Sequence, residues 1–289
     1  MKIIRDPEKI QSVLEQARRK GRRIGFVPTM GALHEGHLSL VLASNHENDV
    51  TVASIFVNPT QFGKNEDYSK YPRVLAKDTQ KLRKVGVDYL FCPSVASMYP
   101  KGYATFVDVA PRIANVFCGK FRPGHFRGVA TIVAKLLNIT GPCQLYLGAK
   151  DFQQTAVIRQ LVRDLNMNVQ VRARPTVRDK DGLAMSSRNR YLSPKERARA
   201  LSISRTLFAL RKGLLKGKSG PVAALKARAI RELKKNVDRV QYLEIVDPVT
   251  LVPVKQCQRN MVVLTACYVG KTRLIDNVII STCHVSLIT

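Results

Sequence analysis

The segment PTMGALHEGH, Pro28 to His37, sets two imidazoles, His34 and His37, three residues apart where a β-rich run gives way to a helical pattern. That spacing puts both rings on one helical face. A helix N-terminus offers unpaired N–H groups and a positive dipole end to a phosphate, and Gly31 and Gly36 allow the backbone a close approach. Two imidazoles placed there can donate hydrogen bonds to oxygens that gain charge during in-line displacement at an α-phosphorus. The chemistry would be transition-state stabilisation, not covalent catalysis. Taken alone, a string as short as HEGH fits surface or capping histidines equally well.

Four further strings carry polar groups suited to the same chemistry. FVNPTQF supplies Asn58 and Gln61, neutral amides able to fix hydroxyl and carboxylate groups of a small polar substrate, or simply to make a turn. LGAKDFQQ, Leu147 to Gln154, again follows a strand-like run and opens a helix. In it Lys150 can reach phosphate oxygens as a point charge, Asp151 can cap the helix or serve a metal, and Gln154 sits one turn inward. GLAMSSRNRYLS, Gly182 to Ser193, offers the donors Ser186, Ser187 and Arg188 on a polar loop, suited to a triphosphate or to nothing more than a linker. RPGHFRG, Arg122 to Gly128, adds Arg122 and His125, which could receive a carboxylate or decorate a loop.

The elements that must position these groups read as α/β. Ile24–Val27 and Val50–Val57 are strand-like, and between them Leu38, Val41 and Leu42 fall at helical spacing. A charged helix over about Arg73–Lys84 precedes VDYLF. Val129, Ile132, Val133, Leu136 and Leu137 form a core-facing stripe before QLYLG, and a helix over about Phe152–Leu165 leads to Val169–Val171. Strands alternating with helices of this length predict a Rossmann-like, doubly wound parallel sheet, with PTMGALHEGH at its first βα junction. From about Pro194 two basic helices, Pro194–Leu215 and Val222–Lys235, joined by KGKSGP, are followed by strands Val240–Val246 and Met261–Val269. That order predicts a smaller α+β C-terminal domain, with the boundary at residues 176/177.

Composition narrows the class. Apolar residues at 45% and charged residues at 24% fit a folded globular chain rather than a disordered one. No apolar run approaches the ~18 residues of a membrane span, and the start MKIIRDPEKI lacks the apolar core of a signal peptide, so a cytoplasmic location is expected. Six scattered cysteines without a CxxC pair suggest reduced, mostly buried thiols rather than a zinc site or disulfide framework. The net charge of +27 favours anionic partners without choosing among nucleotides, nucleic acid and anionic membranes.

The order of HxGH in the front half and MSS-R near the domain junction resembles the nucleotidyltransferases that include class I aminoacyl-tRNA synthetases. Within that superfamily VPTMGALHEGH, SIFVNPTQF, RPGHFRGVATIV, KDFQQ, DGLAMSSRN and the late RLIDN resemble the pantothenate synthetase family, over about Ile24–Asn277. The resemblance implies an ATP-dependent ligase that condenses pantoate with β-alanine through an enzyme-bound pantoyl-adenylate. It implies an ATP site formed by Pro28, Thr29, Met30, Gly31, Ala32, Leu33, His34, Glu35, Gly36 and His37, with Gly148, Ala149, Lys150, Asp151, Val177, Met185, Ser186, Ser187 and Arg188. His37, His34 and Lys150 would be catalytic. Gln61, Gln154, Asn58 and Arg122 would hold pantoate, Gln61 would also serve β-alanine, and Asp151 is the candidate metal residue. Mg²⁺, a homodimer formed through the N-terminal domain and a mobile C-terminal lid domain are further implications. The family usually has Glu where Ala149 stands, which removes a carboxylate beside Lys150. The residues by themselves leave open a nucleotidyltransferase for another acid. They also leave open nucleic-acid binding by the basic stretch Lys195–Arg239, although only Phe208 is available there for stacking.

Overall fold

The structure, a computed structural model, describes residues 1–63, 66–215 and 221–281. Most of the KGKSGP link and Cys283 lie outside the described residues. The chain divides into two compact units, one of Met1–Ala149 with Gln154–Arg174, the other of Lys150–Gln153 with the residues from Pro175 onward.

The first unit holds strands β1 (Lys2–Ile4), β2 (Ile24–Thr29), β3 (Val50–Ile55), β4 (Tyr89–Phe91), β5 (Cys143–Gly148) and β6 (Val169–Arg174). They form one sheet in the order β1-β4-β3-β2-β5-β6, with every neighbouring pair parallel. Parallel neighbours cannot be joined by hairpins, so the crossovers carry helices. These are α1 (Pro7–Arg19), α2 (Glu35–Glu47), α3 (Leu75–Lys84), the short α4 (Val95–Met98), α5 (Pro111–Ala114) and α6 (Cys118–Phe121), then α7 (His125–Thr140) and α8 (Phe152–Asp164). The expected doubly wound sheet is present. Strands covered on both faces bury consecutive residues, as in β3, where Val50–Ser54 are all buried, Thr51 and Ser54 included.

Strand order reverses between β2 and β5: the chain leaving β2 winds to β3 on one side, and the chain leaving β5 winds to β6 on the other. Ligands of such sheets bind outside the carboxyl ends of the strands at that point. The HxGH segment leaves β2 there, but at the second βα junction, not the first, because β1 and α1 precede it. β1 has only three residues, too few for a period. α1 did carry a start signal: Asp6 accepts the Lys9 N–H at 2.9 Å, Pro7 follows it, and Ile10 and Leu14 face the core.

On α2 the inward face runs through Leu38, Val41 and Ser44, with Leu40 at its border, whereas Leu42 is 55% exposed. Leu42 therefore does not belong to the expected stripe, being turned about 100° from Val41 toward solvent. α2 approaches β2 closely at Gly25, where a Cβ would run into Ser44 Oγ. The stripe expected on α7 is buried throughout, from Val129 to Leu137.

The second unit consists of α9 (Pro194–Leu215) and α10 (Val222–Lys234) with the antiparallel sheet β7 (Arg239–Val246), β8 (Asn260–Val269) and β9 (Thr272–Ser281), in the order β7-β8-β9. Its core includes Ile203, Leu207, Leu210 and Leu233 of the helices and Leu243, Val263, Leu274 and Val278 of the sheet. β9, the strand that the periodicity did not reveal, returns from β8 through a two-residue turn with Gly270 at φ +56°.

Among the described residues no helix is long and apolar enough to cross a membrane. Cys92, Cys118 and Cys267 are buried, Cys143 is half-buried and Cys257 is exposed. Burial pushes Cys92 and Cys267 up to about 11, which keeps both protonated near neutral pH.

Candidate active site

The loop from β2 to α2 is held by its backbone. Thr29 Oγ1 donates to Ser54 O at 2.8 Å and accepts the Gly31 N–H at 3.1 Å. Gly31 and Ala32 then both take positive φ, +81° and +51°. For a residue with a Cβ this costs roughly 1–2 kcal/mol, so something must offset Ala32. The offset is Asp78 of α3, only 2% exposed, whose Oδ2 and Oδ1 accept the N–H groups of Ala32 and Leu33, each at 2.8 Å. One turn further on α3, Lys81 Nζ donates to Leu33 O at 2.6 Å.

So clamped, the loop delivers His34 as the N-cap of α2. The His34 N–H donates to His37 Nδ1 at 3.3 Å, and the two rings stand 4.1 Å apart, tilted by 35°. With Nδ1 accepting, the proton of a neutral His37 ring sits on Nε2. Both imidazoles are half-buried at the carboxyl edge of the sheet.

Asn58 and Gln61 follow β3. Asn58 is 1% exposed: its Nδ2 donates to Gln61 Oε1 at 3.2 Å and Gly128 O at 3.1 Å, while its Oδ1 accepts from Tyr99 OH at 2.8 Å and Thr60 Oγ1 at 3.0 Å. Its hydrogen-bonding capacity is thus used inside the protein, and its geometry orients Gln61 instead of presenting an amide to a ligand. Gln61 Nε2 meets Met30 Sδ at 2.9 Å, a weak acceptor that leaves the amide able to donate elsewhere. The histidine loop and the Gln61 turn are therefore in contact through Met30. Gly128 permits this arrangement, since a Cβ there would run into the Thr60 carbonyl.

Arg122, expected to receive a substrate carboxylate, already holds one from the protein. Its Nε and Nη2 each donate to Glu66 at 2.6 Å, and its Nη1 lies 2.9 Å from His125 Nε2. Both Arg122 Nη2 and His125 Nδ1 reach the Gln61 carbonyl, at 3.3 and 2.8 Å. The trio is a brace behind Gln61. Burial alone would raise the Glu66 carboxyl, but the hydrogen bonds and charge of Arg122 outweigh it and hold the group below its ordinary 4.5.

Gly148 ends β5, and Ala149, 3% exposed, fills a buried position. Lys150 lies 3.8 Å from the half-exposed Asp151, and Gln154 is half-buried on the first turn of α8. In the second unit an isolated bridge pairs Arg178 with Ala184, and Met185 N donates to Val177 O at 3.0 Å, making those two expected nucleotide contacts neighbours. Ser186 Oγ accepts the Arg188 N–H at 3.3 Å, opening the 3-10 turn Ser187–Tyr191.

Asp78, Lys81, Glu66, Thr60 and Tyr99 escaped the sequence reading. Asp78 alone had a visible signal, a carboxylate four residues before Leu82 on the buried side of α3.

A sequence model of the Pantoate-beta-alanine ligase family matches residues 2–279. A pantothenate synthetase of a Sulfurihydrogenibium species is 50% identical over 96% of this chain and 99% of its own length. Pantothenate synthetase 1 of Bradyrhizobium diazoefficiens is 52% identical over 97% and 99%. The crystal structure of pantothenate synthetase from Thermus thermophilus superposes with a TM-score of 0.91 at 44% identity, covering 96% of this chain and 99% of that one. The pantoate-beta-alanine ligase of Francisella tularensis, complexed with beta-gamma ATP and beta-alanine, gives 0.78 at 38% identity, covering 96% and 97%.

Because the folded-state pKa of Glu66 is depressed, its contribution to stability is complete above the unfolded value and is lost as pH falls through the folded one. Glu66→Gln should therefore melt lower than the unsubstituted protein at about pH 7, and the gap should close toward about pH 3 in thermal melts. A gap constant across that range would show that the ion pair does not brace Gln61.

Proposed function

The chain belongs to the pantoate–β-alanine ligase family, and from that membership we propose how its residues perform the ligation. Its activity joins the carboxyl group of pantoate to the amine of β-alanine with consumption of ATP. The observation that carries the reading is the contact of the clamped histidine loop with Gln61 through Met30. It brings a phosphate-directed edge and a polar-substrate edge together within one unit.

A carboxylate is a poor acylating agent because oxide is a poor leaving group. In the first step the pantoate carboxylate attacks the α-phosphorus of ATP in line, forming one P–O bond while the bond to pyrophosphate breaks. His37 Nε2–H and His34 donate to the oxygens that gain charge, with Lys150 as a point charge on the same phosphates; catalysis is positioning and electrostatics. In the second step the neutral amine of β-alanine attacks the acyl carbon, AMP departs with one former carboxylate oxygen, and the amine loses its proton. Gln61 and Gln154 fix pantoate, Gln61 also meets β-alanine, and Asn58 and Arg122 act through Gln61. Pro28–His37, Gly148–Asp151, Val177, Met185, Ser186, Ser187 and Arg188 receive the nucleotide.

Mg²⁺ fits the donor set. Among the described residues no three His, Cys, Asp or Glu side chains cluster as a metal cage. Magnesium commonly uses one or two carboxylates with substrate phosphates and water, and Asp151 offers one half-exposed carboxylate. Bound there, the ion would neutralise charge on the departing pyrophosphate. A homodimer formed through the first unit and a cytoplasmic location complete the proposal, both supported by the motif resemblance.

Pantoate labelled with ¹⁸O in both carboxylate oxygens tests the route: one label should appear in AMP and one in pantothenate by mass spectrometry. Unlabelled AMP would rule out the acyl-adenylate. His37→Ala should slow pyrophosphate release about 10²- to 10³-fold while binding of a non-hydrolysable ATP analogue changes little. Undiminished release would remove His37 from the mechanism.

A further inference from the structure

We propose that Asn277, with the Arg178–Asp276 pair beside it, is a positioning residue for the nucleotide step, fixing the main chain at Lys150 and at the loop Val177–Arg188. The inference rests on the phosphate-binding role assigned above to Lys150 and that loop.

Asp276 and Asn277 are adjacent on β9, so their side chains leave opposite faces of the strand, yet each is only 4% exposed. On the core-facing side, shared with Leu274 and Val278, Asp276 receives a fork from Arg178: Nη1 donates at 2.7 Å and Nη2 at 2.9 Å. The same guanidinium donates to Gly182 O at 3.2 Å and Asn277 O at 3.3 Å, and its Cζ lies 4.8 Å from the centre of the Phe208 ring. Arg178 and Ala184 are bridge partners, so this fork fixes the base of the turn that presents Met185, Ser186, Ser187 and Arg188. On the opposite face Asn277 Nδ2 donates to Lys150 O at 2.8 Å, and the Asn277 N–H donates to Asp276 Oδ1 at 2.7 Å. One dipeptide thus ties the two phosphate-directed segments to a single strand.

The chemistry argues for positioning over bulk stability. Buried ion pairs seldom add net stability over well-packed apolar residues, because desolvation offsets their attraction. A bidentate guanidinium instead fixes geometry in two directions. Lysine reaches its ligand on a flexible four-carbon stem, so a fixed main chain limits the volume its ammonium group explores.

The test is a double-mutant cycle read by pantoate-dependent exchange of labelled pyrophosphate into ATP. If Asn277 acts through Lys150, Asn277→Ala should lower exchange and raise the KM for ATP about 10-fold, leaving the KM for pantoate unchanged. In a Lys150→Ala background it should add almost nothing. Asn277→Asp, of equal size but unable to donate to the Lys150 carbonyl, should behave like Asn277→Ala and replaces it in the cycle if the alanine variant does not fold. Arg178→Lys should raise the KM for ATP in both backgrounds, since it acts on the other segment. Equal losses from Asn277→Ala with and without Lys150, or a fall in active fraction with every KM unchanged, would overturn the inference. Absence of pantoate-dependent exchange in the unsubstituted protein would overturn the proposed function, and this inference with it.

Discussion

Two hydrogen bonds from consecutive backbone N–H groups to one buried carboxylate govern the histidine edge of this protein. Asp78 is sealed from solvent, so its oxygens must find donors inside, and the amides of Ala32 and Leu33 supply one to each. Those amides face Asp78 together because Gly31 and Ala32 both adopt positive φ, a backbone state that the alanine does not favour by itself. Loop and carboxylate each make the other tolerable. The histidines inherit their positions from this arrangement, since His34 follows Leu33 directly and caps the helix that carries His37.

The same division of labour recurs elsewhere. Asn58, Arg122 and His125 are rich in hydrogen-bonding groups, yet the structure directs them at Gln61 or at its carbonyl. In the second unit Arg178, Asp276 and Asn277 are directed at main chain around Lys150 and the serine loop. Behind the half-buried histidines and Lys150, and behind the buried Gln61, stands a layer of polar residues engaged with the protein itself. Such a layer suits in-line displacement, where an error of about 1 Å costs on the order of 10²-fold in rate.

Much of this was legible in the order of residues. Helices of 10 to 16 residues between apolar runs can only cross over a parallel sheet, and the stripe from Val129 to Leu137 specified its own burial. The histidine string marked a strand-to-helix junction, although β1, with three residues, was too short to show that another junction came first. β9 was hidden because Asp276 and Asn277 break the alternation that a strand should show, and they do so because both are polar residues buried for a reason. Asn58 and Arg122 looked like ligands for a substrate because a sequence reveals the donors a residue owns and not the partners that occupy them. Asp78 shares the buried side of its helix with Leu82, a spacing the sequence does show, but among so many charged neighbours only its burial separates it from the solvated ones.

The Asp78 clamp sets the histidines for attack at the α-phosphorus. Asp78→Asn keeps the shape but exchanges one acceptor for an amide that faces a backbone donor, so the loop loses half its anchor. Measured on folded protein, pantoate-dependent exchange of pyrophosphate into ATP should fall by about 10²-fold, with the KM for pantoate nearly unchanged. Exchange at the unsubstituted rate would contradict the account, because the histidines would then be held by something other than this carboxylate.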